Sequence, residues 1–399
     1  MANQEIRSFT SGVNQSGVRD YNERLLLSMI QKMGPLPGSD IARQSSLSAQ
    51  TVSVILRSLE SEGLLVKGEP QRGRVGKPRV PMQLNAAGAY SVGLKIGRRS
   101  ADLVLMDLLG VVRQQEQIQF RYAHPDEVTA FLRDGLARMT ASLPADQQSR
   151  LCGIGIAAPF EMWKPHEIID AEDSEFRSWQ GADLAQEVAR FTDLPVSLVN
   201  DATSACYAEN TFGHGRDFRE YAYFFIGAFA GGGVVINDVV FEGRRGNAGA
   251  LGSVMSRDSQ GKPVQLMDRA SLFWLEASIR EAGGDPQQLW TQGADWSMFE
   301  AQLGPWIEMA SQELALAALS ACAVIDFEAV LIDGAFPPNV RARLVRQTAR
   351  KAREIETIGL VRPTIEEGTV GANARVLGAA YRPISSRYFL GTGGLSGAG

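Results

Sequence analysis

Of 399 residues only three are cysteine, Cys152, Cys206 and Cys322, and three are histidine, His124, His166 and His214. The cysteines stand far apart, which excludes the paired spacing of a zinc knuckle or a disulfide framework and predicts buried free thiols. The histidines are equally scattered and form no local metal motif. No metal and no cofactor is expected. Long apolar runs are also missing: none approaches the roughly 20 residues that span a bilayer. The opening MANQEIRSFTSG lacks the apolar core of a signal peptide. These absences predict a cytoplasmic protein without a membrane partner. What is present is 44% hydrophobic content, enough over this length for two or three domains with their own cores.

Charge is uneven. The chain carries −5 overall, but residues 1–80 hold 11 Lys or Arg against 7 Asp or Glu, so this segment is +4 and the rest is −9. A basic arm on an acidic body suggests nucleic-acid binding, provided the arm has a fold. In YNERLLLSMIQKMG, the residues Leu26, Met29, Ile30 and Met33 follow helical spacing, and Gly34 with Pro35 stops the helix. GSDIARQSSLSAQTVSVILRSLESEGLL then reads as two helices joined by a tight turn, with Ser39 placed to cap the first and Ser48 the second. Val52, Ile55, Leu56 and Leu59 make one apolar stripe on the second helix, expected over about 48–62 and ended by Gly63. Its other side offers Ala49, Gln50, Thr51, Ser53 and Arg57, small or polar groups suited to base edges.

This is the pattern of a helix-turn-helix. Two strands follow around the basic loop RGRVGKPR, a wing in which Arg72, Arg74, Lys77 and Arg79 alternate with Gly73, Gly76 and Pro78. The small residues let the backbone lie low while the cations reach phosphates or a narrow minor groove. Candidate DNA contacts are therefore Ser48, Gln50, Thr51, Ser53, Arg57, Arg72, Arg74, Lys77 and Arg79.

From Tyr90 the pattern changes to α/β. Strands are expected at 91–96, 102–106, 153–157, 196–199, 222–227, 234–236 and 329–332, alternating with helical segments such as 125–141 and 183–191. The first two strands form a hairpin, SVGLKIGRRSADLVLMD, and GAFAGGGVVIND supplies a second glycine loop between strands. Two α/β lobes around a cleft are implied.

The order of these pieces resembles the ROK family of repressors, open reading frames and sugar kinases, over nearly the whole chain. The resemblance is carried by the GRVGKP wing, the 91–107 hairpin, GIGIAAP, LPVSLVNDATSACYAE, GAFAGGGVVINDVVFEGRRGNAGALG, VLIDGAFP and GANARVLGAAY. It implies an N-terminal winged helix-turn-helix over 1–84, followed by a two-lobed actin-like kinase fold. Lobe 1 would take 88–200 and 370–385 and lobe 2 would take 201–369, with a disordered tail at 386–399. It further implies a homodimer or dimer of dimers, operator DNA and a sugar-like effector as partners, and regulation of carbohydrate genes, a repressor by default.

Residue by residue, the kinase half is altered. Family kinases read roughly Asp-x-Gly-Gly-Thr in the first loop; here Lys95 stands at the Asp position and Arg98 and Arg99 at the Gly-Thr positions. A lysine does not bind the magnesium that such a carboxylate helps to hold. The family's Ala-Gly-Glu-Ile-Gly-His becomes a segment with Ala250 and Ser253 at the Glu and His positions, and no cysteine cluster follows, so zinc is not expected. Asn200 and Asp201 survive, the aspartate as the family's general base and equally as a cap for the helix starting at Ala202. Glu209 is expected to be structural or on the exposed helix face. Asn200, Asp201 and Asn247 are the candidate effector contacts. The expected function is a DNA-binding regulator whose inactive kinase cleft senses a sugar-like molecule. An ATP-dependent sugar kinase with a DNA-binding arm, and a constitutive DNA binder whose lobes only dimerise, are the alternatives.

Overall fold

Helix α1 (Gln15–Met33) buries Leu26, Leu27, Met29 and Ile30, and Gly34, at φ +82, closes it. The computed structural model describes residues 15–70, 79–97, 100–120, 123–159, 178–179, 181–258, 260–291 and 293–390. Arg72, Arg74, Lys77, Arg98, Arg99 and His166 lie outside them. The chain divides into two compact units, 1–89 with 385–399, and 90–384.

In the first unit, strand β1 (Leu36–Pro37) leads into α2 (Gly38–Ser45) and α3 (Ala49–Ser61). Ser39 does not cap α2 as its position suggests. Pro37, at φ −63 and ψ 144, already sets the extended N-cap geometry, so the helix starts at Gly38 and Ser39 falls inside its first turn. Ser48 does cap α3, its Oγ accepting from the Thr51 amide at 3.0 Å. Val52, Ile55, Leu56 and Leu59 are buried, and Gly63, at φ +78, lets Leu64 N–H close back on the Leu59 carbonyl at 2.9 Å. Strands β2 (Leu65–Lys67) and β3 (Pro81–Leu84) pair antiparallel as the stem of the wing, and β1 adds to β3. Residues from 385 belong here: Phe389 is buried, Arg24 Nε donates to its carbonyl at 3.0 Å, and Leu390 N–H donates to Ser28 Oγ at 2.9 Å. Residues 386–390 are thus packed, against the expectation of a disordered tail from 386. Residues 391–399 lie outside the described ones.

The second unit contains two sheets of the same design. Strands β4 (Tyr90–Ile96), β5 (Ser100–Asp107) and β6 (Val112–Gln119) form an antiparallel meander, and β7 (Leu151–Ala158) and β8 (Val196–Asn200) add parallel to β4, giving the order β6-β5-β4-β7-β8. Helix α4 (Pro125–Ser142) and the short α5 (Leu184–Val188) make the crossovers. The same order recurs as β11-β10-β9-β14-β15, from β9 (Tyr221–Ile226), β10 (Ala230–Ile236), β11 (Val239–Val240), β14 (Ala329–Gly334) and β15 (Thr364–Glu367), with a separate hairpin β12 (Met255–Arg257) and β13 (Pro263–Gln265) between. Helix α6 (Asp201–Phe212) leaves β8 and packs on β10.

The run Gly231–Gly233 is not a loop. It lies inside β10, where a side chain at Gly231 would meet the Ala202 Cβ at 2.7 Å and one at Gly233 the Cys206 Cβ at 2.6 Å, so glycine is what lets α6 lie on the strand. The turn itself is 227–229.

Helices α7 (Leu272–Glu281), α8 (Glu300–Val324) and α9 (Pro338–Glu354) cover the second sheet, and α10 (Ala374–Tyr388) returns to the first. Residues 296–324 include a helix long and apolar enough, by length and composition, to cross a membrane, which corrects the reading that no run approaches that length. The sequence conceals it because Glu308 and Glu313 interrupt the apolar run, whereas Trp306, Ile307, Ala310, Leu314, Ala317 and Ala318 all face the core of the second sheet. All three cysteines are buried and none is disulfide-bonded among the described residues, and burial pushes the Cys322 thiol up to about 11.

Candidate functional site

Some of the predicted residues fall in two places, one in each unit. On α3 the exposed side carries Gln50, Ser53 and Arg57. Ser48 and Thr51 are engaged internally, their hydroxyls sharing a 2.8 Å hydrogen bond that completes the cap. Arg57 folds back along its own helix, Nε donating to the Ser53 carbonyl at 3.1 Å and Nη2 to Ser53 Oγ at 3.3 Å. Those bonds are exposed and cheap to exchange for a base edge. Arg79 is exposed and stands 3.8 Å from Asp40, which also pairs with Arg43 at 3.1 Å. The same face holds a residue that the sequence reading left out, Val54, 54% exposed among these polar neighbours.

The second place is where the carboxyl ends of β4, β8 and β9 converge, the usual ligand position of open α/β sheets. Lys95, near the end of β4, is buried, and its ammonium donates to Asp102 Oδ2 at 3.0 Å and to Ser100 Oγ at 3.1 Å. Gln117 Nε2 donates to the other oxygen of Asp102 at 2.5 Å, so this carboxylate is well supplied with donors. Burial, and next the Arg375 guanidinium, pull the Lys95 pKa below its ordinary value, and Asp102 and Asp201 only partly oppose them.

At the end of β8, Asn200 rather than Asp201 caps α6. Its Oδ1 accepts from Ala202 N–H at 3.0 Å and Thr203 N–H at 3.2 Å, while Asp201 opens the first turn. Asp201 Oδ1 also accepts from Ala202 N–H at 3.0 Å, and its Oδ2 takes a 3.2 Å bond from Arg375 Nη1. Arg375 is a site residue that sequence reasoning missed. Its signal is its place: a cation in the first turn of α10 faces the positive end of the helix dipole and calls for a nearby carboxylate.

Glycine brings this arginine into position. A side chain at Gly155 would lie 1.8 Å from the Ala379 carbonyl, and one at Gly378 would lie 1.8 Å from that of Ser204, so α10 rests backbone to backbone on β7 and α6. The guanidinium then stacks over Phe225, 5.0 Å from the ring centre, and its Nη1 lies 3.6 Å from where a side chain on Gly227 would begin. Arg375 Nε is buried and has no acceptor among the described residues.

Asn247 is exposed on the turn after β11, and no bond joins it to Asn200 or Asp201 among the described residues. Ala250 is half-buried and Ser253 exposed. Glu209 is fully buried and structural: it accepts from the amides of His214 at 2.7 Å, Thr369 at 3.0 Å and Val370 at 3.1 Å, tying the end of α6 to the loop before α10.

Comparison with known proteins matches residues 91–263 to the ROK family and residues 19–66 to the winged helix-turn-helix DNA-binding family. An uncharacterised protein of Sinorhizobium fredii is 25% identical over 93% of this chain and 92% of its own length. The xylose repressor of Bacillus subtilis is 26% identical over 64% of this chain and 65% of its own, and the N-acetylglucosamine repressor of Escherichia coli O157:H7 is 23% identical over 59% and 58%. Matched stretches thus span under two thirds of each of these two repressors. Among solved structures, a ROK family transcriptional regulator described as a homolog of the E. coli MLC protein superposes with a TM-score of 0.68 at 21% identity, covering 95% of this chain and 98% of that one. A ROK family glucokinase from Streptomyces griseus superposes with a TM-score of 0.55 at 16% identity, covering 73% and 98%. At these identities the likeness is one of fold.

Proposed function

We propose that this chain, whose residues 19–66 match the winged helix-turn-helix DNA-binding family and residues 91–263 the ROK family, is a sugar-responsive transcriptional repressor without kinase activity. The carrying observation is α3, capped by Ser48, presenting Gln50, Ser53 and Arg57 to solvent in the same chain as a ROK domain. The named relatives, a xylose repressor and an N-acetylglucosamine repressor, support the same reading. Base edges would be read by α3, and phosphates by Arg72, Arg74, Lys77 and Arg79.

The convergence of strand ends would serve as the sensor, with Asn200, Asp201 and Asn247 as effector contacts. Arg375 Nε would gain the acceptor it lacks from an effector oxygen. Closure on that effector would shift the population of DNA-competent states. Two modules on a homodimer, or on a dimer of dimers, would read half-sites about one helical turn apart. We place the protein in the cytoplasm for the same reason, since its operator is there.

Against phosphoryl transfer stand the two ion pairs. Lys95 already neutralises Asp102, Arg375 already neutralises Asp201, and the carboxylate that family kinases carry at position 95 is absent. Positioning and charge stabilisation supply most of the rate in this reaction, so a lone Asp201 is insufficient. The test takes duplexes selected from a random pool by the full chain and measures their binding with xylose, N-acetylglucosamine or glucose present, beside ADP release with magnesium-ATP and each sugar. Sugar-dependent release of DNA without ADP formation is expected. Turnover that vanishes in Asp201→Asn would establish the kinase instead.

A further inference from the structure

Val54 is a large apolar side chain in the middle of a polar face. It lies four residues after Gln50 and three before Arg57, so the three share one side of α3, and it remains 54% exposed while Val52, Ile55, Leu56 and Leu59 on the other side are buried. Among the described residues it is not one of the buried core positions of the first unit. When α3 enters a major groove, this side loses its water, and each group on it must meet a partner of its own kind. The major groove presents hydrogen-bond donors and acceptors on every base pair and a single apolar group, the C5-methyl of thymine. Over any other base edge, Val54 would strip water from a polar atom and return nothing.

We propose that Val54 selects a thymine in each half-site by van der Waals contact with its methyl group. The inference rests on reading α3 as the recognition helix and adds a base identity at one position. Ser53 and Arg57, tied to each other on one flank, keep their polar groups available for neighbouring bases, and Gln50 stands one turn toward the N-terminus.

The experiment uses the full-length protein and the duplexes it enriches from a random pool. Each thymine is replaced singly by deoxyuridine, which keeps its pairing and loses only the methyl. For the wild-type protein, one replacement in each half-site should weaken binding about fourfold, the worth of one buried methyl, while the others leave affinity within about twofold. Val54→Ala should bind the thymine duplex more weakly and lose the distinction between thymine and deoxyuridine at that position, with thermal unfolding unchanged because the side chain is exposed. If no single replacement matters to the wild type, or the penalty persists undiminished in Val54→Ala, the proposal is wrong. If no duplex is enriched at all, the reading of α3 as a recognition helix falls, and this inference with it.

Discussion

Lys95 and Asp102 form a desolvated pair, 3.0 Å apart and both buried. Lys95→Met leaves the aspartate with Gln117 as its remaining partner among the described residues and should cost about 3–5 kcal/mol, whereas the double variant Lys95→Met with Asp102→Leu should recover most of it. Urea denaturation of both variants decides the matter, and equal losses would show that the pair is not coupled. The pH dependence has a definite sign. Because the folded-state pKa of Lys95 lies below its ordinary value of 10.5, the unfolded chain holds the proton more tightly. Stability from this group therefore rises with pH between the lowered value and 10.5, and the penalty is present in full below that window. The difference between wild type and Lys95→Met, measured across alkaline pH, isolates it from Tyr221 and Tyr223, which burial shifts upward. At this scale the sequence was half legible. The unusual lysine stood out, but a choice between Asn200 and Asp201 as cap depends on backbone angles, and the Arg375 partnership joins positions 174 residues apart.

Ser48→Ala removes the cap of α3 and should lower the stability of the first unit by about 1 kcal/mol, read from amide exchange along α3. Arg57→Ala should relax base preference at one position, at about 1–3 kcal/mol if its contact is bidentate. The combined alanine substitution of Arg72, Arg74 and Lys77 should instead weaken binding to all duplexes alike and flatten the salt dependence, by about 0.9 in log-log slope for each phosphate no longer neutralised. Titrations at several salt concentrations distinguish the two, and an unchanged slope would mean that the wing does not touch DNA. Helix α3 was readable because its apolar residues keep a 3.6-residue period behind a serine cap. Strand β6 was not: VRQQEQIQ has no apolar alternation, because it is an edge strand whose polar side chains meet water. The glycines of β10 looked like a loop because close approach of a helix and a flexible turn leave the same letters.

The first unit is assembled from distant parts of the chain, with Arg24 bonding the Phe389 carbonyl across 365 residues. Arg24→Ala should lower the protection of α1 amides by about 1.5–3 kcal/mol, as for bonds made by a charged donor, with the core of the second unit unaffected; equal loss in both would show a single cooperative transition. Anatomy of this kind also orders events during synthesis. The helices that would read DNA leave the ribosome before the α/β sheets, yet residues 385–390 of their unit come only after both sheets have been made. A half-made chain therefore carries an unfinished first unit, and the finished form, which would read DNA, arises only in molecules that already possess the domain that would govern it.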